Sequence, residues 1–295
     1  MHRMLVIVAA VWVCGVAAQD RPTMSSVMDA SAESDWRTPD PHNTLYLNLA
    51  GGQVVFELAP EFAPAHIENI RKLVAQQYFD GLAIVRSQDN YVVQWGDPNA
   101  GTDSARSFAS AGDSIDPEFD REANGLTFTG IEARDAYADD VGFVAGFPVA
   151  RDNDTGRAWL VHCYGMLGVG RANSPRSGSG AELYVVTGHS PRHLDRNVTL
   201  IGRVLVGIEH LTTLPRGTGT MGYYADESDR VPISSIRFGD TIDENDQINI
   251  KVLRTDTKTF QDLVEARRYR ADDWFVNPTD AIGLCNVPLP SRTMD

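Results

Sequence analysis

Positive charge is scarce in this chain. It carries 26 Lys and Arg against 40 Asp and Glu, a formal net charge of −14. Contact with a phosphate backbone needs clustered basic side chains, so no nucleic-acid partner is expected, and docking on an anionic membrane is equally disfavoured. The acidic balance itself reports solubility and names no partner. Cysteine is scarce too, with 3 in 295 residues. A chain this long buries enough apolar surface to fold without a disulfide framework. The apolar run Leu5 to Val16 is shorter than the ~20 residues of a membrane span. Phosphate-cradle and metal signals are also missing. Ser177-Gly178-Ser179-Gly180 has no lysine to follow it, and its glycines supply backbone freedom instead. His189 and His193 are four apart, but Pro191 breaks the helix that would aim both at one ion, and His162-Cys163 is only a second soft pair. No metal site and no cofactor are expected.

At the N-terminus, His2 and Arg3 give a basic start, Leu5 to Val16 an apolar middle, and Ala17-Ala18-Gln19 a small-residue end. This pattern predicts a secretory signal peptide over residues 1–18, cleaved near Ala18, and a periplasmic or secreted protein that is not an integral membrane protein after cleavage. Val13 precedes Cys14 where a lipoprotein signal wants a small residue, so no lipid anchor is expected. Cleavage leaves Cys163 and Cys285. They either pair, tying the C-terminal tail to the segment before Gly165, or stay as separate buried thiols, and spacing does not choose.

Residues 19–43 have no periodicity and read as a flexible leader. Thr44 to Leu49 and Gln53 to Leu58 alternate around Ala50-Gly51-Gly52, a hairpin pattern. From Pro64 to Gln77, Ile67, Ile70, Leu73 and Val74 share one helical face, with proline well placed at the helix start. Leu82 to Val85, Tyr91 to Gln94, Leu183 to Thr187, Leu200 to Leu205 and Val231 to Phe238 read as further strands. Many short strands with one clear amphipathic helix predict a mostly β fold, a closed barrel or a sandwich. Residues 99–164 hold twelve Asp and Glu against five Arg. They read as an acidic insert, either a lobe near the functional groove or a solvated loop. In residues 241–295, Gln247 to Leu253 reads as a strand and Phe260, Leu263, Val264 and Tyr269 as one face of a short helix, with the tail folding back on the barrel or making an oligomer contact.

Two separated blocks carry a family resemblance. The first is Leu45 to Pro98, which contains Arg86-Ser87-Gln88-Asp89-Asn90-Tyr91-Val92-Val93-Gln94-Trp95-Gly96-Asp97-Pro98. The second is Gly165 to Gly207, with Gly180-Ala181-Glu182-Leu183-Tyr184, Leu194-Asp195 and Ile201-Gly202-Arg203-Val204. Together they resemble the cyclophilin-type peptidyl-prolyl isomerases. The resemblance implies a closed eight-stranded antiparallel β-barrel over residues 44–240, capped by two helices and interrupted by the insert, with residues 241–295 as an extension packed on the barrel. It implies Arg86 as the catalytic arginine and Tyr91, Val92, Gln94, Gly170, Arg171, Glu182, Tyr184, His193, Leu194 and Val198 as the substrate-binding wall. Proline-containing polypeptides are the implied substrates.

The chemistry suits these residue types. Rotation about a peptide bond meets a barrier of ~18–20 kcal/mol from its partial double-bond character. No nucleophile, metal or cofactor is required, only an apolar grip on the proline ring and a fixed donor near its nitrogen. This sequence departs from the family at Glu182, where a glutamine is usual, and at His193, Val198 and Tyr91. Glu182 is placed where it can pair with Arg86 or Arg171, and such a pair would compete with substrate. The same departures support a second reading, a module that binds proline segments with weak turnover.

Overall fold

The computed structural model describes residues 21–270 and 274–294. The expected signal peptide, residues 1–18, lies outside them. In chain order, helix α1 (Met24–Asp29) and strand β1 (Trp36–Arg37) precede the hairpin β2 (Thr44–Leu49) and β3 (Gly52–Leu58), helix α2 (Pro64–Ala75), and strands β4 (Ala83–Ser87) and β5 (Val92–Gly96). The insert supplies β6 (Arg121–Glu122), β7 (Phe128–Gly130), β8 (Asp140–Val144), β9 (Phe147–Asp152) and β10 (Arg157–Leu160). Then come β11 (Met166–Val169), β12 (Leu183–Val186), β13 (Leu200–Val206), the single turn α3 (Glu209–Thr212) and β14 (Val231–Phe238). Strand β15 (Ile250–Leu253), helix α4 (Lys258–Tyr269) and strand β16 (Ser291–Thr293) complete the chain.

Period-2 alternation builds the barrel. Leu45, Leu47 and Leu49 of β2 join Val54, Phe56 and Leu58 of β3 in the interior, with Trp95, Val93, Leu183, Val185 and Ile201. The strands close in the order β11-β12-β5-β4-β14-β2-β3-β13, every pairing antiparallel, so the barrel has no free edge. Helix α2 plugs one end with Ile67, Ile70, Leu73 and Val74. It ends two residues earlier than the apolar periodicity suggests. Gln77 turns left-handed at φ 58°, and the Tyr78 N–H bonds back to the Leu73 carbonyl at 2.9 Å, which satisfies a carbonyl at the helix end. The expected second capping helix is only α3, whose Leu211 is fully buried. Gly52 suits the turn beneath it, because its φ of 146° is one that side chains rarely adopt and a Cβ there would press on the His210 ring.

Two further layers cover the barrel's outer wall. The insert strands form an antiparallel sheet, β6-β10-β9-β8-β7, so the insert is a packed lobe and not a solvated loop. Its Val141, Phe143, Val149 and Trp159 share an apolar core with Val92, Met166, Tyr184, Val186 and Leu200 of the barrel wall and with Phe260, Leu263 and Val264 of α4. The smaller sheet β1-β15-β16 covers Tyr46, Val55 and Leu205. The segment expected to be a flexible leader is structured from Thr23 onward. Thr23 caps α1 by accepting from the Ser26 N–H at 3.2 Å, Val27 is buried, and Trp36 pairs with Leu253. These elements are stable only against partners more than two hundred residues away, which no local pattern announces.

Cys163 and Cys285 form a disulfide with their Cα atoms 5.0 Å apart. Among the described residues there is no cluster of His, Cys, Asp or Glu able to hold a metal, and no helix is long and apolar enough to cross a membrane.

Candidate active site

Strands β4, β5 and β12 lie side by side, and their register sets the site. Arg86 pairs with Gln94, and Gln94 with Tyr184. Ile84, Val93, Trp95, Leu183 and Val185 face the core, and alternation turns Val92, Gln94, Tyr184 and Val186 to the outer wall, while a bulge between Ile84 and Arg86 shifts the register so that Arg86 joins them beside Gln94. Residues eight apart in sequence thus become cross-strand neighbours.

The guanidinium of Arg86 is held on three sides. Its Nε donates to the Met221 carbonyl at 2.7 Å, Nη1 donates to Gln94 Oε1 at 3.1 Å, and Nη2 donates to Gln88 Oε1. It lies between two aromatic rings, with its Cζ 5.4 Å from the centroids of both Tyr91 and Tyr223. Gln94 then donates from Nε2 to Glu182 Oε2 at 2.8 Å. Neither pairing open to Glu182 forms, and with Arg86 the reason is that the Gln94 amide stands between the two charges. Gly170 sits beside this chain, its N–H donating to the Glu182 carbonyl at 2.8 Å. Arg171 turns away, its Nε donating to the Asn197 carbonyl at 2.8 Å and its Nη1 to Ala172, so it does not reach the groove.

The floor is built from Tyr91, Val92 and Tyr184. Tyr91 is half-buried and stacks parallel on His193, ring centroids 6.4 Å apart. Val92 and Tyr184 are buried, and Leu194 is half-buried. Val198 packs into the apolar core that the wall shares with the lobe. Gly168 faces Tyr184 across the β11–β12 pair, and a Cβ there would come within 2.3 Å of the Tyr184 ring. The glycine is what lets the tyrosine lie flat on the wall.

Beneath the floor lies a polar chain that the sequence reading missed. His162 is fully buried, with its Nδ1 2.8 Å from Asp195 Oδ1 and its Nε2 2.8 Å from the Tyr184 hydroxyl. Burial lowers the pKa of His162 below its ordinary value, against the opposing pull of Asp195. Burial also drives the pKa of Tyr184 well above its ordinary value. The imidazole is therefore neutral. It donates from Nδ1 to the Asp195 carboxylate and accepts the Tyr184 O–H at Nε2. The Tyr184 hydroxyl is thereby satisfied on the far side of the ring, leaving an apolar face toward the groove. Asp195 also accepts from Arg192 at 2.6 Å, and Arg192 reaches Asp135 of the insert at 2.6 Å, so the floor is tied to the lobe. The only signals for this chain were His162 beside Cys163 and Asp195 beside Leu194. Tyr223 and Met221 arrive from the β13–β14 connection and carried none.

A pH test follows from the buried imidazole. Between pH 6.5 and the lowered value of His162, the unfolded chain takes up a proton that the folded protein refuses. Folded-state stability should therefore fall as pH drops below about 6.5, by up to about 1.4 kcal/mol per pH unit, and level off below the folded pKa. Urea midpoints at pH 7.5 and 5.5 are expected to drop further for the unmodified protein than for His162→Gln. Parallel curves would remove His162 from the neutral, tyrosine-holding role.

Comparison with known proteins agrees with the barrel fold. The family model for the cyclophilin type peptidyl-prolyl cis-trans isomerases matches residues 44–238. A probable peptidyl-prolyl cis-trans isomerase of Brucella suis biovar 1 (strain 1330) is 26% identical over 179 residues, 61% of this chain and 74% of that protein. A probable peptidyl-prolyl cis-trans isomerase of Brucella abortus (strain 2308) matches to the same extent, 26% over 179 residues, 61% of this chain and 74% of its own length. A crystal structure of a cyclophilin from Hirschia baltica superposes with a TM-score of 0.69 at 25% identity, covering 92% of this chain and 98% of its own. That coverage runs well beyond residues 44–238, so the likeness is not confined to the barrel.

Proposed function

The chain belongs to the cyclophilin-type peptidyl-prolyl cis-trans isomerase family, and from that premise we propose that Arg86 accelerates X-Pro rotation in exported polypeptides by donating to the proline nitrogen. The enzyme is an isomerase of this type, and its substrates are proline-containing polypeptides. Family membership favours turnover over the weakly active binding module. The proline ring rests on Tyr91, Val92, Tyr184 and Leu194, with Gln94 and Gly170 beside it and His193 and Val198 backing the floor. As the amide twists, its nitrogen becomes pyramidal and its lone pair accepts a hydrogen bond, which a planar amide nitrogen does not. A donor fixed at that point binds the twisted state better than the planar one and lowers the barrier.

One observation carries the mechanism. Three acceptors, the Met221 carbonyl, Gln88 and Gln94, hold the guanidinium without exhausting it. A guanidinium has five N–H groups, so one N–H on each terminal nitrogen stays free for substrate. NMR exchange spectroscopy on an X-Pro tetrapeptide tests the assignment. Enhanced exchange that disappears when Arg86 is replaced, with the fold retained, supports it, and unchanged exchange would remove Arg86 from the centre of the reaction.

Export rests on the N-terminal pattern and on the Cys163–Cys285 bond, which persists in oxidising compartments. The mature protein recovered from cells is expected to begin at Gln19. An uncleaved Met1 on a cytosolic product would overturn that part of the proposal.

A further inference from the structure

Glu182 is an unusual group to find on the wall of a peptide groove. Only its Oε2 is engaged, by Gln94 Nε2 at 2.8 Å. Among the described residues its Oε1 has no hydrogen-bond partner, and no ion pair includes it, although the residue is half-buried. The cations in the neighbourhood are committed elsewhere. Arg86 is held by Met221, Gln88 and Gln94 with the Gln94 amide between it and Glu182, and Arg171 donates to the carbonyls of Asn197 and Ala172. Arg106 donates to the Tyr78 and Asp80 carbonyls, each at 2.7 Å. Gly170 leaves the carboxylate uncovered, since even a Cβ at that position would lie 3.2 Å from Glu182 Oε2.

The surroundings reinforce the negative charge. Asp97, close by at the end of β5, is buried and accepts only backbone N–H groups, from Asn99 at 2.8 Å and Arg106 at 2.6 Å. Burial first, then the charges of Asp97 and Glu182, push the Tyr78 hydroxyl up to about 12. The groove therefore has a polarity. A guanidinium stands at one end and an uncompensated carboxylate at the other, with the Gln94 amide aligned between them.

We propose that Glu182 is a specificity-determining residue that selects polypeptides with a lysine or arginine flanking the isomerised proline. The inference rests on the assignment of the groove around Arg86 to substrate. A cationic side chain beside the proline reaches the free Oε1 without displacing the Gln94 bond. An acidic side chain there meets repulsion from a carboxylate that has no cationic partner among the described residues. An exposed pair of this kind contributes modestly, and attraction for one peptide adds to repulsion of the other, so the ratio between them should be roughly five- to tenfold.

The test uses the full mature chain and five-residue X-Pro peptides in which lysine, norleucine or glutamate occupies each flanking position in turn. The quantity read is the lysine-to-glutamate ratio of kcat/KM within each protein, which divides out any general loss of activity. The unmodified protein is expected to show a ratio of roughly five to ten at one flanking position, shrinking at 0.5 M salt as screening takes hold. Glu182→Gln, close in shape and still able to accept from Gln94, is expected to bring the ratio to about one. A ratio near one in the unmodified protein, or a ratio that survives in Glu182→Gln, would overturn the proposal. Arg86→Ala on the norleucine peptides separates the two readings. If its rate collapses while the ratio is near one, only the selectivity fails. If its rate is unchanged, the groove assignment fails and the selectivity with it.

Discussion

Arg86→Ala is expected to lower kcat/KM for an X-Pro tetrapeptide by about 100- to 1,000-fold, the usual cost of removing one preorganised donor aimed at a transition state. The loss should fall on kcat with KM little changed. The proline nitrogen is a poor acceptor while the amide is planar and a good one only when it is twisted, so the bond exists mainly at the barrier top. Stability should hardly move. Arg86 is half-buried on the outer wall; of the groups it releases, Met221 is exposed and Gln88 half-buried, so water can replace the guanidinium there, and only the buried Gln94 Oε1 loses a partner. A urea midpoint close to that of the unmodified protein would thus accompany the collapsed rate. A loss confined to KM would instead make Arg86 a binding residue, and catalysis would have to come from elsewhere on the wall.

The parts of this site that could be read from the sequence are those governed by short-range rules. Period 2 in β2, β3, β5, β12 and β13 and period 3.6 in α2 announced a mostly β fold with one amphipathic helix, because half-buried elements write their exposure into alternation, and the family resemblance narrowed that to a closed, capped barrel. Arg86 and Gln94 were legible as a pair through the family resemblance, and the fold realises it because the β4–β5 hairpin turns an eight-residue separation into a cross-strand contact. What escaped depends on chain returning from far away. Tyr223 and Met221 reach Arg86 from the other side of β13. Strand β1 exists only because β15 pairs with it, and two residues are too few to carry a pattern. His162 resembled half of a weak metal pair, and only the fold shows that its partners are a hydroxyl and a carboxylate. The Glu182 pairing stayed undecided for a related reason. Glu182 was open to pairing with Arg86 or Arg171, but the amide of Gln94 on the intervening strand stands between it and Arg86, and Arg171 is turned to the carbonyls of Asn197 and Ala172.

The second large effect is expected from the disulfide. Cys163 and Cys285 close a loop spanning 122 residues of sequence separation. Restricting an unfolded loop of that size is worth about 5 kcal/mol in the chain-entropy model, and measured losses run at roughly 2–5 kcal/mol. The double variant Cys163→Ser with Cys285→Ser, which leaves neither partner as a lone thiol, should lose about 3–5 kcal/mol in urea unfolding and roughly 10 °C in melting temperature. The loss should not stay in the tail. Ile282, Leu284 and Val287, on either side of Cys285, pack into the same apolar core as α4, the insert lobe, Val92 and Tyr184. Cys163 follows His162, whose ring holds the Tyr184 hydroxyl. Opening the bond therefore loosens the floor of the groove as well as the extension, and isomerase activity should fall with stability below the melting transition. A single cooperative transition at lower temperature, with reduced kcat/KM at 25 °C, is the expected result. If a first transition removes only the extension and leaves the rate untouched, the tail is an independent unit and the shared core does not couple it to the active wall.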